Sequence, residues 1–539
     1  MKLPNVKYAD GIAKSKQVKF GGLNHSAGAG DGELWDMRNM TGDHYPLLAS
    51  RRKRRLYKKL NNAGGLFAWD KLCWVADGAF FYDGKEKGAL AAGQKFFAAM
   101  GKYIVIFPDK CYYNTETDVF GTLESKWEGA SVTFSDGVLY EQEQEANCIY
   151  SAGVDWSSYF RIGDAVQIEG CTKYTQNNKT SIVRAIDGDK LIFTENVFTL
   201  PAAGQSYTES GKMILQRTVP DLLGVWEHNN RLWGYTEDTV YSSRWSDVFN
   251  WNNYDVQDDA AWSITPGATG YFTGCCTYGG YPVFFKEEHI YKIYGSVPSN
   301  FEMLGSATLG LSEGSAGSLA IAGETLFYLG RNGVMAYTGG LPQPIGEAFG
   351  LERFKNAVAG SDGLKYYISM QHTDGTWGLY VYDTQRGVWH KEDETRATHF
   401  ARYNGNLYFL NDKGEIWVID SGLGMPEGTD EEPVRWAAEF ADFTDADPNK
   451  KGVGKVQLRL ELDAGANAQV WIQFDSDGIW HKVGAQLGQN AKRSYYLPIT
   501  PQRCDHYRIR ITGRGACRIH SLVREFYSGS EMKSTRGRN

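Results

Sequence analysis

The chain has 539 residues and sets 57 Lys and Arg against 64 Asp and Glu, a formal net charge of −7. This length allows several domains, and mild acidity disfavours a dedicated nucleic-acid binder, whose surface would be basic. With 62 Gly, 15 Pro and 16 Trp, 32 Tyr and 26 Phe, collagen-like and Pro/Gly-disordered classes are excluded, and an aromatic-rich β protein with many turns is expected.

The opening MKLPNVKYADGIAKSKQVKF has no apolar core of a secretory signal, and no later run reaches the 18 or so apolar residues of a membrane helix. Residues 1–55 lack periodicity and read as an extended arm of short strands that must lie on some other surface. Within it, GAGDG at Gly28 to Gly32 has neither the preceding strand nor the following helix of a dinucleotide loop, so it reads as a turn.

From Leu56 onward, phrases such as KLCWVADGAFFYDG, KYIVIFPDKCYYN, NRLWGYTEDTVYSSRW and NGNLYFLNDKGEIWVID pair an apolar strand with a short polar turn and a second strand. Their recurrence every ~35–45 residues predicts an all-β fold built on a β-propeller of six to eight blades, with first blades at 56–129 and the rest at 218–425. Residues 130–217 break the spacing with three short strands and read as an inserted small β-barrel, or else as a long decorated blade. After a Gly, Pro and acid-rich stretch, alternation returns at 430–529 and predicts a C-terminal β-sandwich with Val456, Leu458, Leu460, Val470, Ile472 and Phe474 facing inward. Residues 530–539 read as a flexible tail.

No catalytic or metal constellation is expected. The ten histidines form no H-E-x-x-H, and the eight cysteines form no paired C-x2-C motif, so the thiols are expected to be reduced and buried. Glu287, Glu288 and His289 adjoin on a strand and would face opposite sides. Asp442, Asp445, Asp447 and Asn449 offer oxygen ligands but lack the glycine and closing glutamate of a calcium loop, so a solvated loop is the plainer reading. The EQEQE run ending at Glu145 reads as a charged loop. HTDGTWG and DSDGIWHK partly match aspartate-box turns of sialidase-like propellers, and Arg231, Arg244, Arg331 and Arg386 would have to converge for such an enzyme; Asx-type turns at Asp374 and Asp477 are the simpler account. The run Arg51, Arg52, Lys53, Arg54 and Arg55 reads first as a solvated strand lead-in or an inter-subunit salt-bridge cluster, and second as a phosphate contact.

The segment VKFGGLNHSAGAGDGELWDMRNMTGDHYPLLASRRKRR resembles the opening of tailed-phage and prophage virion proteins. The resemblance rests on Phe20, Gly21, Gly22, Leu23 and Asn24; on Asp31, Gly32 and Glu33; on Asp36, Met37, Asn39 and Met40; and on Tyr45, Pro46 and Leu48 before the basic run. Similar openings occur in propeller-containing nozzle or head-to-tail connector (completion) proteins of short-tailed phages. The resemblance implies a non-enzymatic structural component of the phage tail, made in the host cytoplasm and without cofactor. It would form a homo-oligomeric ring, six-fold by one expectation, below the portal or adaptor and around the exiting DNA. Phe20, Gly21, Gly22, Asn24, Asp31, Glu33, Asp36, Met37, Asn39, Tyr45 and Pro46 are then the expected subunit interface, and the −7 charge suits a conduit that should not hold phosphate. The alternative is a receptor- or glycan-binding tail protein using Trp377, Trp389, Trp471 or Trp480; a propeller glycosidase stands behind it.

Overall fold

The computed structural model describes residues 12–528 except 27, 141–143, 195–196, 203, 255–256, 420–425, 446–449 and 501. Among the described residues there is no α-helix; antiparallel strands and single 3-10 turns make the whole fold. The chain divides into two units, Asn62–Ser312 and Met1–Asn61 with Glu313–Asn539.

Seven small antiparallel meander sheets are the blades of an all-β propeller. Asn62–Ser312 holds blade 1 (first strand Gly65–Ala68), blade 2 (Phe96–Met100), blade 3 (Gly224–His228) and blade 4 (Phe272–Tyr278). The other unit holds blade 5 (first strand Ala320–Ala322), blade 6 (Phe354–Ser361) and blade 7 (Ala397–Tyr403). D-G and N-G turns close their hairpins as expected: Asp77 and Gly78 have φ of 50° and 71°, and Asn404 and Gly405 have 47° and 77°, the left-handed pair that a two-residue hairpin turn needs. Second strands such as Leu72–Ala76 and Arg231–Tyr235 are buried along their whole length, because a blade is covered on both faces by its neighbours. Cys73, Val75 and Phe80 of blade 1 thus share a core with Ile104, Ile106 and Tyr113 of blade 2.

Blade 7 is completed from far upstream. Arg55–Lys59 pairs antiparallel with Glu415–Ile419, with Trp417 opposite Leu56 and Val418 opposite Arg55.

The insertion is one seven-stranded antiparallel sheet whose two end strands, Thr180–Ile182 and Ala185–Asp187, are consecutive in the chain. Ser125–Tyr140 pairs with both Gln144–Tyr150 and Tyr207–Arg217. The short stretch 180–187 pairs through Thr180–Ile182 with Ala165–Glu169 and through Ala185–Asp187 with Lys190–Ile192. Val183 and Arg184 carry the ladder across the bend, bonding to Asp164 and Ile192. Its core is aromatic, with Trp127 against Trp156 and Phe134 stacked on Tyr207.

The sandwich has the expected inward rows: Val456, Leu458, Leu460, Val470, Ile472 and Phe474 are all buried. It is not confined to the C-terminal part. Ala13–Gln17 pairs with the long strand Cys517–Ser528, Leu48–Ser50 pairs with the same strand, and Leu34–Arg38 extends the second sheet through Arg435–Phe440. The arm expected to lie on a neighbouring subunit is therefore folded into its own chain, because its apolar residues complete sheets that would otherwise end in open edges. One core then runs from the sandwich through Phe20, Leu34, Met37 and Met40 to Phe349, Tyr380 and Trp389 of blades 5 and 6. The tail at 530–539 lies outside the described residues.

Candidate functional site

Several of the residues that carry the resemblance, Phe20, Gly22, Met37 and Asn39 among them, lie at the joint of the sandwich with blades 5 and 6. Phe20 is buried, its N–H bonded to the Pro46 carbonyl and its ring 6.0 Å from that of Phe440. Gly21 N–H donates to Gly32 O at 2.8 Å, and Leu23 N–H donates to Trp389 O at 2.7 Å. Gly22 lies against that same carbonyl, where a Cβ would stand 2.1 Å from the oxygen. Asn24 Nδ2 donates to Glu33 Oε2 at 3.0 Å, and the same oxygen accepts from Gly30 N at 2.6 Å, so Glu33 fastens the GAGDG turn.

Further along, Asp36 approaches Lys391 at 3.5 Å and Met37 is wholly enclosed. Asn39 takes a left-handed φ of 53°. Its N–H donates to Glu392 O, its Nδ2 to Arg435 O at 2.8 Å, and its Oδ1 accepts from Arg51 Nε at 2.7 Å. Tyr45 stays half exposed under the Arg386 guanidinium, while Pro46 supplies the carbonyl that holds Phe20. Of the expected interface residues, Phe20, Gly22, Met37 and Asn39 are thus committed inside the chain. Their side chains or backbone meet its own core, which removes them from a surface that a second copy could touch.

The basic run divides by position. Arg51 forks onto Glu431 with Nη1 to Oε2 at 2.7 Å and Nη2 to Oε1 at 2.9 Å. Arg54 holds Glu392 and reaches Asp393 Oδ2 at 3.0 Å, with its guanidinium 5.2 Å from the Phe409 ring centre. Both arginines are buried, so the phosphate expectation fails for them: two cations among three carboxylates are already compensated. Arg55 pairs with Asp430 at 2.9 Å from the closing strand of blade 7. Arg52 and Lys53 are exposed. Burial opposes the Arg54 charge, yet Asp393, Glu392 and Glu431 raise its pKa above the ordinary value. Burial likewise pushes Asp393 up, and Arg54 and Arg51 more than reverse it, holding the carboxyl below its usual range.

A second buried cluster ties Ala13–Gln17 and the turn to the sandwich. Arg524 Nη2 donates to Asp31 Oδ2 and Asp445 Oδ1, each at 2.7 Å, and to Ser15 Oγ at 2.8 Å. Tyr507 OH donates to Asp445 Oδ2 at 2.6 Å, and Asp442 takes Arg508. The solvated-loop reading is thereby corrected for Asp442 and Asp445, whose oxygens pair with arginine; Asp447 and Asn449 lie outside the described residues. No cluster of three or more metal-ligating side chains occurs among the described residues.

The remaining candidates fall into structural places. Asp374 Oδ1 accepts from Thr376 N at 2.9 Å and Asp477 Oδ1 from Ile479 N at 2.8 Å, the expected Asx turns. Arg231 donates to the main-chain carbonyls of Ser243, Asp258 and Ala260, Arg244 to Asp259, and Arg386 to Asp383. Arg244 also reaches the Gly163 carbonyl of the insertion, and Arg386 the ring of Tyr45. Glu287 and Glu288 sit in the turn before His289, their carbonyls accepting from Gly310 and Thr308. The side chains of the EQEQE run lie outside those described. Trp389, a candidate sugar platform, is buried with its Nε1 bonded to Ile345 O at 2.7 Å. All eight cysteines are free, and only Cys275 is not fully buried.

Sequence reasoning missed the acidic partners Glu392, Asp393 and Glu431 and the buried Arg524. The runs KEDE and TDEE, opposite in sign to RRKRR, were the available signal for the first three.

No family model and no curated protein matches the chain. Among solved structures it is similar to BamB from Moraxella catarrhalis, at 10% identity and a TM-score of 0.33 over 70% of this chain and 98% of that one. It is also similar to Hsv2 from Kluyvelomyces marxianus, at 14% identity and a TM-score of 0.27 over 52% of this chain and 94% of that one. A third likeness is to an exo-β-1,3-galactanase from Phanerochaete chrysosporium, at 12% identity and a TM-score of 0.23, covering 56% and 95%. Nothing about activity passes to this chain from likenesses of that size.

Proposed function

We propose that this chain is a structural component of a bacteriophage tail, a nozzle-like or connector subunit that assembles into a homo-oligomeric ring below the portal or adaptor. The observation that carries the reading is the convergence of the shared opening pattern on one joint: Gly22 on Trp389, Asn39 on Arg51, and Arg51 on Glu431. A pattern with several parts that fasten a sandwich to propeller blades suits a protein whose task is to hold shape. Because that joint is internal, subunit contacts fall to other surfaces, with the inserted barrel and the outer strands of the sandwich as docking modules. With a net charge of −7, DNA would pass without tight phosphate contact. In this role the protein resides in the virion, carries no cofactor and catalyses no reaction.

The test is mass photometry of the purified chain, alone and with portal and adaptor proteins from the same source, followed by cryo-electron microscopy of tail particles. A closed ring on the channel axis is expected. A chain that stays monomeric with those partners and is absent from the particle axis overturns the proposal.

A further inference from the structure

The two units carry opposite charge. Asn62–Ser312 holds 18 Lys and Arg against 31 Asp and Glu, a net of −13, while the remaining residues hold 39 against 33, a net of +6. Part of the excess on each side gathers on one exposed surface.

The basic surface is the outer face of a sandwich sheet. Lys451–Leu462 turns Val456, Leu458 and Leu460 inward, so Lys455, Gln457, Arg459 and Glu461 point outward. Register carries this face across four strands. Glu461 lies between Lys492 of Ala491–Pro498 and Arg518 of Cys517–Ser528; Gln457 lies between Tyr496 and Val523, with Lys16 beyond; and Glu525 lies between Lys455 and Lys14. Glu525 takes Lys14 at 3.0 Å and Lys455 at 3.6 Å, and Glu461 takes Arg518 at 3.2 Å. Lys16, Arg459 and Lys492 remain exposed and in excess. His520, beside Glu461, registers the field: burial lowers its pKa, and Lys492 and Arg459 lower it further against Glu461. Tyr496 stands among these cations, 60% exposed, with Lys455 Nζ 4.8 Å from its ring centre.

The acidic surface is one end of blades 2 to 4, and short bonds tie its parts together. Lys110, in the turn after Tyr103–Phe107 of blade 2, pairs with Glu124 at 2.8 Å and with Asp221 at 2.7 Å, whose side chain is 93% exposed. Leu223 N–H donates to Tyr235 O at 2.8 Å, which sets Asp221 beside the turn of Glu237 and Asp238 in blade 3. Phe272 N–H donates to Glu237 O at 2.9 Å and Phe272 lies opposite Lys286, which sets Glu287 and Glu288 of blade 4 next to that turn. Six carboxylates thus share this end with Lys110, and Asp221, Glu237, Asp238 and Glu288 are exposed.

A polyanion such as DNA would approach the basic face on a chain whose net charge is −7. A second copy instead presents the complement of that face on its own blades. A contact between two unlike patches of one chain is head-to-tail, the kind that closes into rings.

We propose that the basic sandwich face of one copy, centred on Tyr496, docks on the acidic end of blades 2 to 4 of the next copy. The inference rests on the ring reading above and names the two surfaces that meet. It is tested on the full chain, alone and with portal and adaptor proteins from the same source, by mass photometry at low and high salt. One variant reverses the basic face, Lys16→Glu with Arg459→Glu; the other reverses the acidic end, Asp221→Lys with Glu237→Lys. Circular dichroism and thermal melting confirm that both stay folded. Each variant alone is expected to assemble about tenfold more weakly or worse, and added salt to weaken the native assembly in the same direction. An equimolar mixture of the two should assemble again, because each supplies the face the other has lost and the two reversed faces also match. If the native chain assembles and either folded variant does so equally well, or the mixture stays apart, this contact is overturned and the ring reading stands. A native chain that is monomeric under all these conditions overturns both. Fluorescence anisotropy with a DNA duplex completes the test: duplex binding lost in the Lys16→Glu, Arg459→Glu variant while assembly is intact assigns the face to nucleic acid and overturns the proposal.

Discussion

The carbonyl oxygen of Trp389 takes the N–H of Leu23 at 2.7 Å and leaves no room for a Cβ on Gly22, which would stand 2.1 Å away. The obstacle is backbone on an ordered blade strand, so neither side can give cheaply. Gly22→Ala should cost about 3 kcal/mol, the upper end for overpacking. Gly21→Ala meets first the Glu33 Cγ at 3.0 Å, a flexible side chain, and should cost less than about 1 kcal/mol. Urea denaturation of the two variants checks the contrast, and equal midpoints would refute it.

The buried Arg54 offers a test of charge compensation. Arg54→Met leaves Glu392 and Asp393 short of a cation in a dry site, a loss expected to cost roughly 3–5 kcal/mol. Lys53→Ala, one residue away and exposed, should change stability by less than about 0.5 kcal/mol. Chemical denaturation reads both.

Acid should weaken the fold before most carboxylates titrate. Burial, helped by Lys365 and opposed by Asp383 and Asp43, lowers the His390 pKa from 6.5 to about 4. Below pH 6.5 the unfolded chain gains a proton at this ring and the folded chain does not, so stability falls as pH drops from 6.5 towards 4. The full loss is about 3 kcal/mol, with about 2 kcal/mol gone by pH 5. Unfolding free energies at pH 7 and pH 5 should differ less in His390→Asn than in the native chain. An unchanged difference would remove His390 from the account.

Burial raises the thiol pKa of Cys111 and Cys171 to about 11 and of Cys276 to about 12. The thiolate is the reacting form, so the native protein should react with a thiol reagent at pH 8 only slowly, and in denaturant all eight cysteines should react. Rapid native labelling of several thiols would contradict the burial.

Much of the β architecture was legible because it is local. Asp77–Gly78 and Asn404–Gly405 announce their hairpins within a few residues, and the inward rows at Val456 to Leu460 and Val470 to Phe474 follow from alternation alone. The destination of residues 13–59 was not, since its partners lie hundreds of positions away: Arg51 and Glu431 are 380 apart, and Ser15 and Arg524 are 509 apart. Alternation shows that a strand has an inner face but not which edge it joins. The basic run misled for a similar reason, because charge along the sequence carries no sign of the carboxylates that fold against it.

The antiparallel pairing of Arg55–Lys59 with Glu415–Ile419, and of Ala13–Gln17 with Cys517–Ser528, sets a timetable for synthesis. Asn62–Ser312 has every strand it needs once the ribosome has passed it, whereas the other unit must keep its first strands waiting until nearly the last have emerged. Chains interrupted after Ser312 would then present a finished set of four blades beside unmatched edges and an exposed Phe20, Leu34 and Met37. A cell's proteases can recognise such products as incomplete, so that only chains carried through to the last sandwich strand survive in quantity.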